Sequence, residues 1–150
     1  MEAIFAVDSK NGFGKDETIP WKSKKDMRFF MDKTMNKIVV MGRKTFESFP
    51  RPLKNRLNVI LTKKTQYSGD NNVLYTDDVD SLLKEKVIFI GGKTIYERFI
   101  PLCEKVWVTR FKRDYDCDTF FYYDFSGFHA KVYEEDAELV ITEYTKSCET

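Results

Sequence analysis

The feature that most narrows the possible folds is a set of short apolar runs, several of which feed directly into helical sequence. Ala3-Ile4-Phe5-Ala6-Val7, Ile38-Val39-Val40-Met41 and Val87-Ile88-Phe89-Ile90 show no polar alternation. A strand with one wet face alternates apolar and polar residues. An unbroken run of this length reads as a strand buried on both faces, the situation in a parallel sheet covered by helices. The second run ends at Gly42 and opens into Arg43–Phe49, which reads as a short helix. The third ends at Gly91-Gly92 and opens into Lys93–Ile100, a helix stopped by Pro101.

The remaining strands are expected over Leu57–Thr62, Asn72–Tyr75, Val106–Phe111, His129–Glu135 and Glu138–Thr145, with Glu135-Asp136 as a hairpin turn. Helices are expected over Ser23–Met35 and Asp77–Lys84, and residues 65–72 read as a polar turn. The expectation is α/β: one domain over residues 1–150, a mostly parallel central sheet, an antiparallel C-terminal edge, and helices on both faces. No repeat, linker or low-complexity stretch interrupts it.

Composition excludes several function classes. The chain has 150 residues, 42% hydrophobic and 33% charged, and a net charge of +1. The longest apolar runs are far short of a membrane span, and the N-terminus lacks a signal-type core, so a cytoplasmic protein without a membrane partner is expected. Three cysteines (Cys103, Cys117, Cys148) without C-x-x-C spacing, beside a single histidine, read as free thiols, with no metal site. Residues 1–75 carry 15 Lys and Arg against 8 Asp and Glu. These cations are dispersed among apolar residues, which favours discrete anion pockets over a nucleic-acid stripe. A monomer is the default.

Two regions carry candidate chemistry. In Ile19-Pro20-Trp21-Lys22-Ser23-Lys24-Lys25-Asp26-Met27-Arg28-Phe29-Phe30, Ser23 is the expected N-cap. Met27, Phe30, Met31 and Thr34 share one helix face, with Asp26 at its edge. Asp26 is either a solvated helix-start acid accompanied by Lys22 and Lys25, or a carboxylate in an apolar cleft offered to a ligand with two donors. The loop Asp8–Thr18 before it, with Gly12 and Gly14, reads as a lid. The second region is the strand-glycine-helix junctions. Arg43, Lys44 and Thr45 stand at one helix start, Thr62, Lys63 and Lys64 at a strand end, and Gly91-Gly92 at a turn that lets backbone approach a diphosphate.

Taken together, these residues resemble the dihydrofolate reductase family over essentially the whole chain. The carrying motifs are Gly14-x4-Ile19-Pro20-Trp21, Asp26-x3-Phe30, Met41-Gly42-Arg43-Lys44-Thr45-Phe46-Glu47-Ser48, Arg51-Pro52-Leu53-x2-Arg56, Ile90-Gly91-Gly92-x3-Tyr96 and Asp118-Thr119-x-Phe121. The resemblance implies NADPH-dependent reduction of dihydrofolate to tetrahydrofolate, in support of thymidylate and purine synthesis. It implies that Asp26 binds the pterin, with Thr109 supporting it and Trp21 reaching the same site through water. Met27, Phe30, Phe49 and Leu53 would line the substrate slot, and Arg56 would pair with the glutamate tail. Ile4 and Ala6 would offer backbone to pterin and carboxamide. Gly14 to Ile19 would cover the nicotinamide, with Tyr96 nearby. For NADPH it implies Gly42, Thr45, Gly91 and Gly92 about the diphosphate, flanked by Ile90, Lys93 and Thr94. Arg43, Lys44, Leu61, Thr62 and Lys63 would lie about the adenosine and its 2′-phosphate. Lys93 departs from the small residue common after Gly-Gly, and Phe46 stands where Trp is also common. The rival readings are a flavin-pathway reductase of the same broad fold, a non-catalytic folate- or nucleotide-binding or assembly protein, and a nucleic-acid module.

Overall fold

The strands predicted from apolar runs form one eight-stranded sheet in the computed structural model, which describes residues 1–16, 18–64 and 70–146. In chain order the elements are β1 (Glu2–Val7), β2 (Gly12–Gly14), α1 (Lys24–Thr34), β3 (Ile38–Gly42), α2 (Arg43–Glu47), β4 (Leu57–Leu61), β5 (Val73–Thr76) and α3 (Val79–Leu82). There follow β6 (Val87–Gly91), α4 (Lys93–Phe99), a 3-10 turn (Ile100–Leu102), β7 (Lys105–Phe111), β8 (Thr119–Phe120), β9 (Phe128–Glu135) and β10 (Leu139–Lys146). The sheet order is β5-β4-β3-β6-β1-β7-β10-β9, parallel from β5 to β7 and closed at one edge by the antiparallel β9–β10 hairpin.

The uniform apolar runs have a direct structural cause. Side chains alternate across the sheet, and each side carries its own core. Ala3, Phe5, Val7, Val40, Val59, Phe89, Val106 and Val108 pack on one side with Leu82 of α3 and Ile95, Tyr96 and Phe99 of α4. Ile4, Val39, Met41, Ile60, Ile88, Ile90, Trp107 and Phe111 pack on the other with Phe29 of α1, and Phe46 of α2 joins them. Helices therefore cover both faces, as expected.

Several boundaries moved. The loop read over Asp8–Thr18 contains β2, which pairs with β8 of the aromatic stretch. The apolar stripe read on α1 faces the cleft: Met27 is 63% exposed and Met31 45% exposed, and only Thr34 at its end is buried, while Phe29, outside the stripe, packs into the core. Phe29 points at the sheet because Trp107 lies 5.6 Å away edge-on, and Lys33 folds back over that indole at 4.3 Å. The polar turn read over 65–72 falls mostly outside the described residues, as do Glu17 and Cys148. Among the described residues, no helix is long and apolar enough to cross a membrane.

Candidate active site

The cleft opens where β1, β3 and β6 end, on the face that α1 covers. In-register pairing of β1 with β7 sets Ile4 beside Trp107 and Ala6 beside Thr109, so these four side chains share the α1 face. Ser23 caps α1 by accepting from the Asp26 N–H at 3.1 Å, which fixes Asp26 in the first turn. Pro20 leads into Trp21, a buried ring 4.9 Å from Phe111 and 5.6 Å from Tyr115. The loop before the helix is thereby anchored to β7 and its following turn.

Asp26 sits in a cavity of about 510 Å³ among Ile4, Ala6, Trp21, Met27 and Phe30. Burial pushes its carboxyl above the usual value, the Thr109 hydroxyl donates to it and partly offsets that, and the Glu138 carboxylate pushes it up further. Asp26 therefore lies in an apolar cavity and not as a solvated helix-start acid. Lys25, a candidate companion, turns away to Asp136 at 2.7 Å and Glu134 at 3.2 Å, and draws the Asp136 carboxyl down to about 2. Asp26 is left facing an apolar slot, the arrangement for a ligand that brings its own donors.

The far wall of the slot comes from Phe49, Leu53 and Arg56. Arg56 is 8% exposed, and burial lowers its pKa from the usual guanidinium value. Its Nε donates to the Lys54 carbonyl at 2.9 Å and its Nη1 to Thr34 Oγ1 at 3.0 Å, while the Thr34 hydroxyl donates to the Phe30 carbonyl. The guanidinium is therefore held against α1 with N–H groups left over for an anion.

The other end of the cleft is backbone. Ile90, Gly91 and Gly92 line it opposite Thr45, and the Gly91-Gly92 peptide is cis. Gly91 has φ +132°, and a Cβ on Gly92 would come within 3.3 Å of Thr45 Oγ1. Side chains at this pair would fill the space between β6 and α2. Gly42 and Gly92 are the N-caps of α2 and α4, and neither helix has a side-chain cap. Their first N–H groups, with Arg43 and Lys44 on one and Lys93 on the other, fit a polyanion lying across the two strand ends. Tyr96 is fully enclosed there. Its hydroxyl donates to the Ile4 carbonyl at 2.7 Å, and burial pushes its pKa far up. Tyr96 is thus a brace between α4 and β1 and holds its proton.

Several predicted positions lie outside the cavity lining. Arg43 is half-buried, with Nε on Glu47 at 2.8 Å, and lines a neighbouring groove of about 440 Å³ with Phe46, Phe49 and Tyr75. Lys44, Lys63, Lys93 and Thr94 are exposed, Leu61 and Thr62 are half-buried, and Thr62 Oγ1 accepts the Lys64 N–H. Gly14 is one step removed, in β2, while Ile19 reaches the lining. Phe5, Phe13, Met31 and Ser48 also line the cavity and were not among the predicted site residues. The spacing of Met31 four after Met27 was a usable signal. Ser48 closes the Met41–Ser48 motif, which was the signal available for it.

The segment from Asp8 to Asp16 is tied down at two places. Asp8 is fully buried; its carboxylate accepts from the N–H groups of Lys10, Gly12 and Tyr115 at 2.8–3.0 Å. Asp118 accepts the Asp16 N–H at 2.9 Å and donates its own N–H to the Gly14 carbonyl. The thiol of Cys103 is pushed up to about 12 by burial, and burial beside Asp8 raises Cys117, so both are inert thiols. Among the described residues, no group of His, Cys, Asp and Glu is placed to hold a metal ion.

The family model described as dihydrofolate reductase matches residues 1–146. The dihydrofolate reductase of Haemophilus influenzae is 32% identical, covering 97% of this chain and 88% of that protein. That of Staphylococcus haemolyticus is 34% identical over 81% of this chain and 75% of that protein. A bifunctional dihydrofolate reductase-thymidylate synthase from Arabidopsis thaliana is 36% identical over 79% of this chain but only 26% of its own length. Among solved structures, dihydrofolate reductase from Enterococcus faecalis, complexed with NADP(H) and RAB-propyl, superimposes with a TM-score of 0.84 at 30% identity, covering 98% of this chain and 96% of that one. A carboxylate at the mouth of an apolar slot and a glycine-floored polyanion cradle thus occur on a matching fold and a matching sequence, and the chain belongs to the dihydrofolate reductase family.

Proposed function

We propose that the cleft reduces 7,8-dihydrofolate to 5,6,7,8-tetrahydrofolate at the expense of NADPH, which when bound supplies the hydride for C6. The observation that carries this reading is Asp26. A carboxylate raised by burial, steadied by the Thr109 hydroxyl and, among the described residues, without a paired cation, suits a pterin ring edge that offers two N–H donors. Binding a ring that gains a proton reverses the desolvation cost, so the carboxylate favours the protonated ring over the neutral one.

Each residue has a separate task in this scheme. Asp26 holds the pterin edge opposite N5, so N5 takes its proton from water admitted beneath the lid. Ile4 and Ala6 supply backbone groups along β1, and the Tyr96 brace fixes the Ile4 carbonyl. Met27, Phe30, Phe49 and Leu53 exclude water from the slot around the aminobenzoyl ring. Arg56 takes a carboxylate of the glutamate tail. Thr45, Gly91, Gly92, Lys93 and Thr94 would hold the diphosphate, and Arg43, Lys44, Thr62 and Lys63 the 2′-phosphate. Gly14 to Ile19 would close over the nicotinamide.

A monomer of one domain is taken as the working unit. The free thiols of Cys103 and Cys117 suit the reducing cytoplasm in which NADPH is available. The direct test follows NADPH absorbance on adding dihydrofolate to the purified protein. Rapid loss is expected. A folded protein that binds both molecules without loss would instead be a non-catalytic folate-binding protein.

A further inference from the structure

One buried polar side chain is used by none of these roles. Asn58 is the second residue of β4 and has no exposed surface. A carboxamide in an otherwise apolar strand is costly unless every donor and acceptor is met. Its Oδ1 accepts the Leu53 N–H at 3.0 Å. Its Nδ2 lies at 2.9 Å from the Leu53 carbonyl, 3.1 Å from the Arg56 carbonyl and 3.3 Å from the Asn72 carbonyl. Asn72, half-buried beside it, donates its own Nδ2 to the same Leu53 and Arg56 carbonyls at 3.1 and 3.4 Å.

The recipient segment explains the expense. Residues 50–56 carry two prolines in the first three positions, lie in neither helix nor strand, and contribute Leu53 and Arg56 to the cleft wall. An irregular segment has no ladder to satisfy its backbone. Here one side chain meets both backbone groups of Leu53 and the carbonyl of Arg56, as a neighbouring strand would. With that backbone pinned, the Arg56 guanidinium reaches Lys54 and Thr34 from a fixed origin, and its remaining N–H groups have a fixed direction.

We propose that Asn58, seconded by Asn72, is a positioning residue that presents Arg56 and Leu53 to the p-aminobenzoyl-glutamate portion of dihydrofolate. It thereby sets selectivity for the tailed substrate over a bare dihydropterin. The proposal rests on the reading of Arg56 as the tail-binding cation. It assigns Asn58 no contact with substrate and no part in the chemical step.

The test measures kcat and KM at saturating NADPH for dihydrofolate and for 6-methyl-7,8-dihydropterin, which lacks the tail. Asn58→Ala should raise KM for dihydrofolate about tenfold with kcat changed less than about twofold, and KM for the bare pterin should stay within about twofold. In an Arg56→Leu background, Asn58→Ala should add less than about twofold to KM for dihydrofolate. Equal losses on both substrates would mean a general structural lesion and overturn the proposal, as would a full additional effect on top of Arg56→Leu. If Arg56→Leu alone raises KM for dihydrofolate while Asn58→Ala does not, the Arg56 reading survives and this proposal falls. If Arg56→Leu leaves that KM unchanged, the Arg56 reading itself is wrong and the proposal falls with it. Should Asn58→Ala fail to fold, Asn72→Ala removes the outer carboxamide only. It should raise KM for dihydrofolate about threefold with the same substrate selectivity, and an equal change on both substrates would refute the idea.

Discussion

Replacing Asp26 by Asn removes a charge and almost no volume, and its effect can be worked out from the site. Two unit charges about 4 Å apart at an effective dielectric near 20 interact by about 4 kcal/mol. The Asp26 cavity is open on one side, so part of that is screened, and a charge-assisted hydrogen bond of about 1.5–3 kcal/mol sets the lower scale. The variant should lose about 2–4 kcal/mol of transition-state stabilisation, roughly a 30- to 900-fold drop in kcat/KM for dihydrofolate. Stability should move the other way. The folded-state pKa of Asp26 lies above its ordinary value of 3.8, so the native state holds this proton longer than the unfolded chain. Wild-type stability from this group is full below that ordinary value and is lost as pH rises through the raised folded value. At neutral pH, Asp26→Asn is therefore expected to resist urea better than wild type, with the advantage shrinking as pH falls toward 3.8. The assay pairs NADPH-coupled kinetics at several pH values with urea titrations at pH 7 and near pH 4. A folded variant retaining kcat/KM within about threefold of wild type would refute the charge argument. A variant less stable than wild type at neutral pH would refute the burial argument.

Other outcomes follow from the same structure. Arg43→Ala should erode the preference for NADPH over NADH by about tenfold, read as the ratio of kcat/KM values; an intact ratio would transfer that task to Lys63 or Lys64. For Asp8 the pKa sign is opposite. Burial pushes its carboxyl up, but the N–H groups of Tyr115, Gly12 and Lys10 outweigh it and hold it below 3.8. Its contribution is present above that value and lost as pH falls through the folded one, so the stability gap between wild type and Asp8→Asn should close in acid; a gap constant with pH would contradict this. Phe89→Ala removes a ring stacked 4.4 Å from Phe99 in the core behind the sheet and should cost about 3–5 kcal/mol in urea denaturation while sparing kcat in the folded fraction.

The amino-acid sequence by itself determined the elements and their class. Continuous apolar runs can be satisfied only between two covered faces, so the parallel strands at Ala3–Val7, Ile38–Gly42 and Val87–Gly91 were legible, and so was the Ser23 cap that opens α1. The motifs around Asp26, Arg56 and Gly91-Gly92 marked candidate residues through their resemblance to the dihydrofolate reductase family, because spacing alone left Asp26 open between two readings. What only the tertiary structure decided depends on neighbours distant in the chain. Whether Asp26 meets water or an apolar slot is set by Ile4, Trp21, Phe49 and Leu53, brought around it from other elements, and by Lys25 being drawn off to Asp136. Met27, Phe30 and Met31 of the α1 stripe line an open cleft, while Phe29, outside the stripe, packs on Trp107. A helical period records which residues are apolar, not whether they face a core or a ligand. Asn58 looks like a defect in a strand until Leu53, Arg56 and Asn72 are folded around it. A buried carboxamide takes its meaning from partners that local sequence does not place.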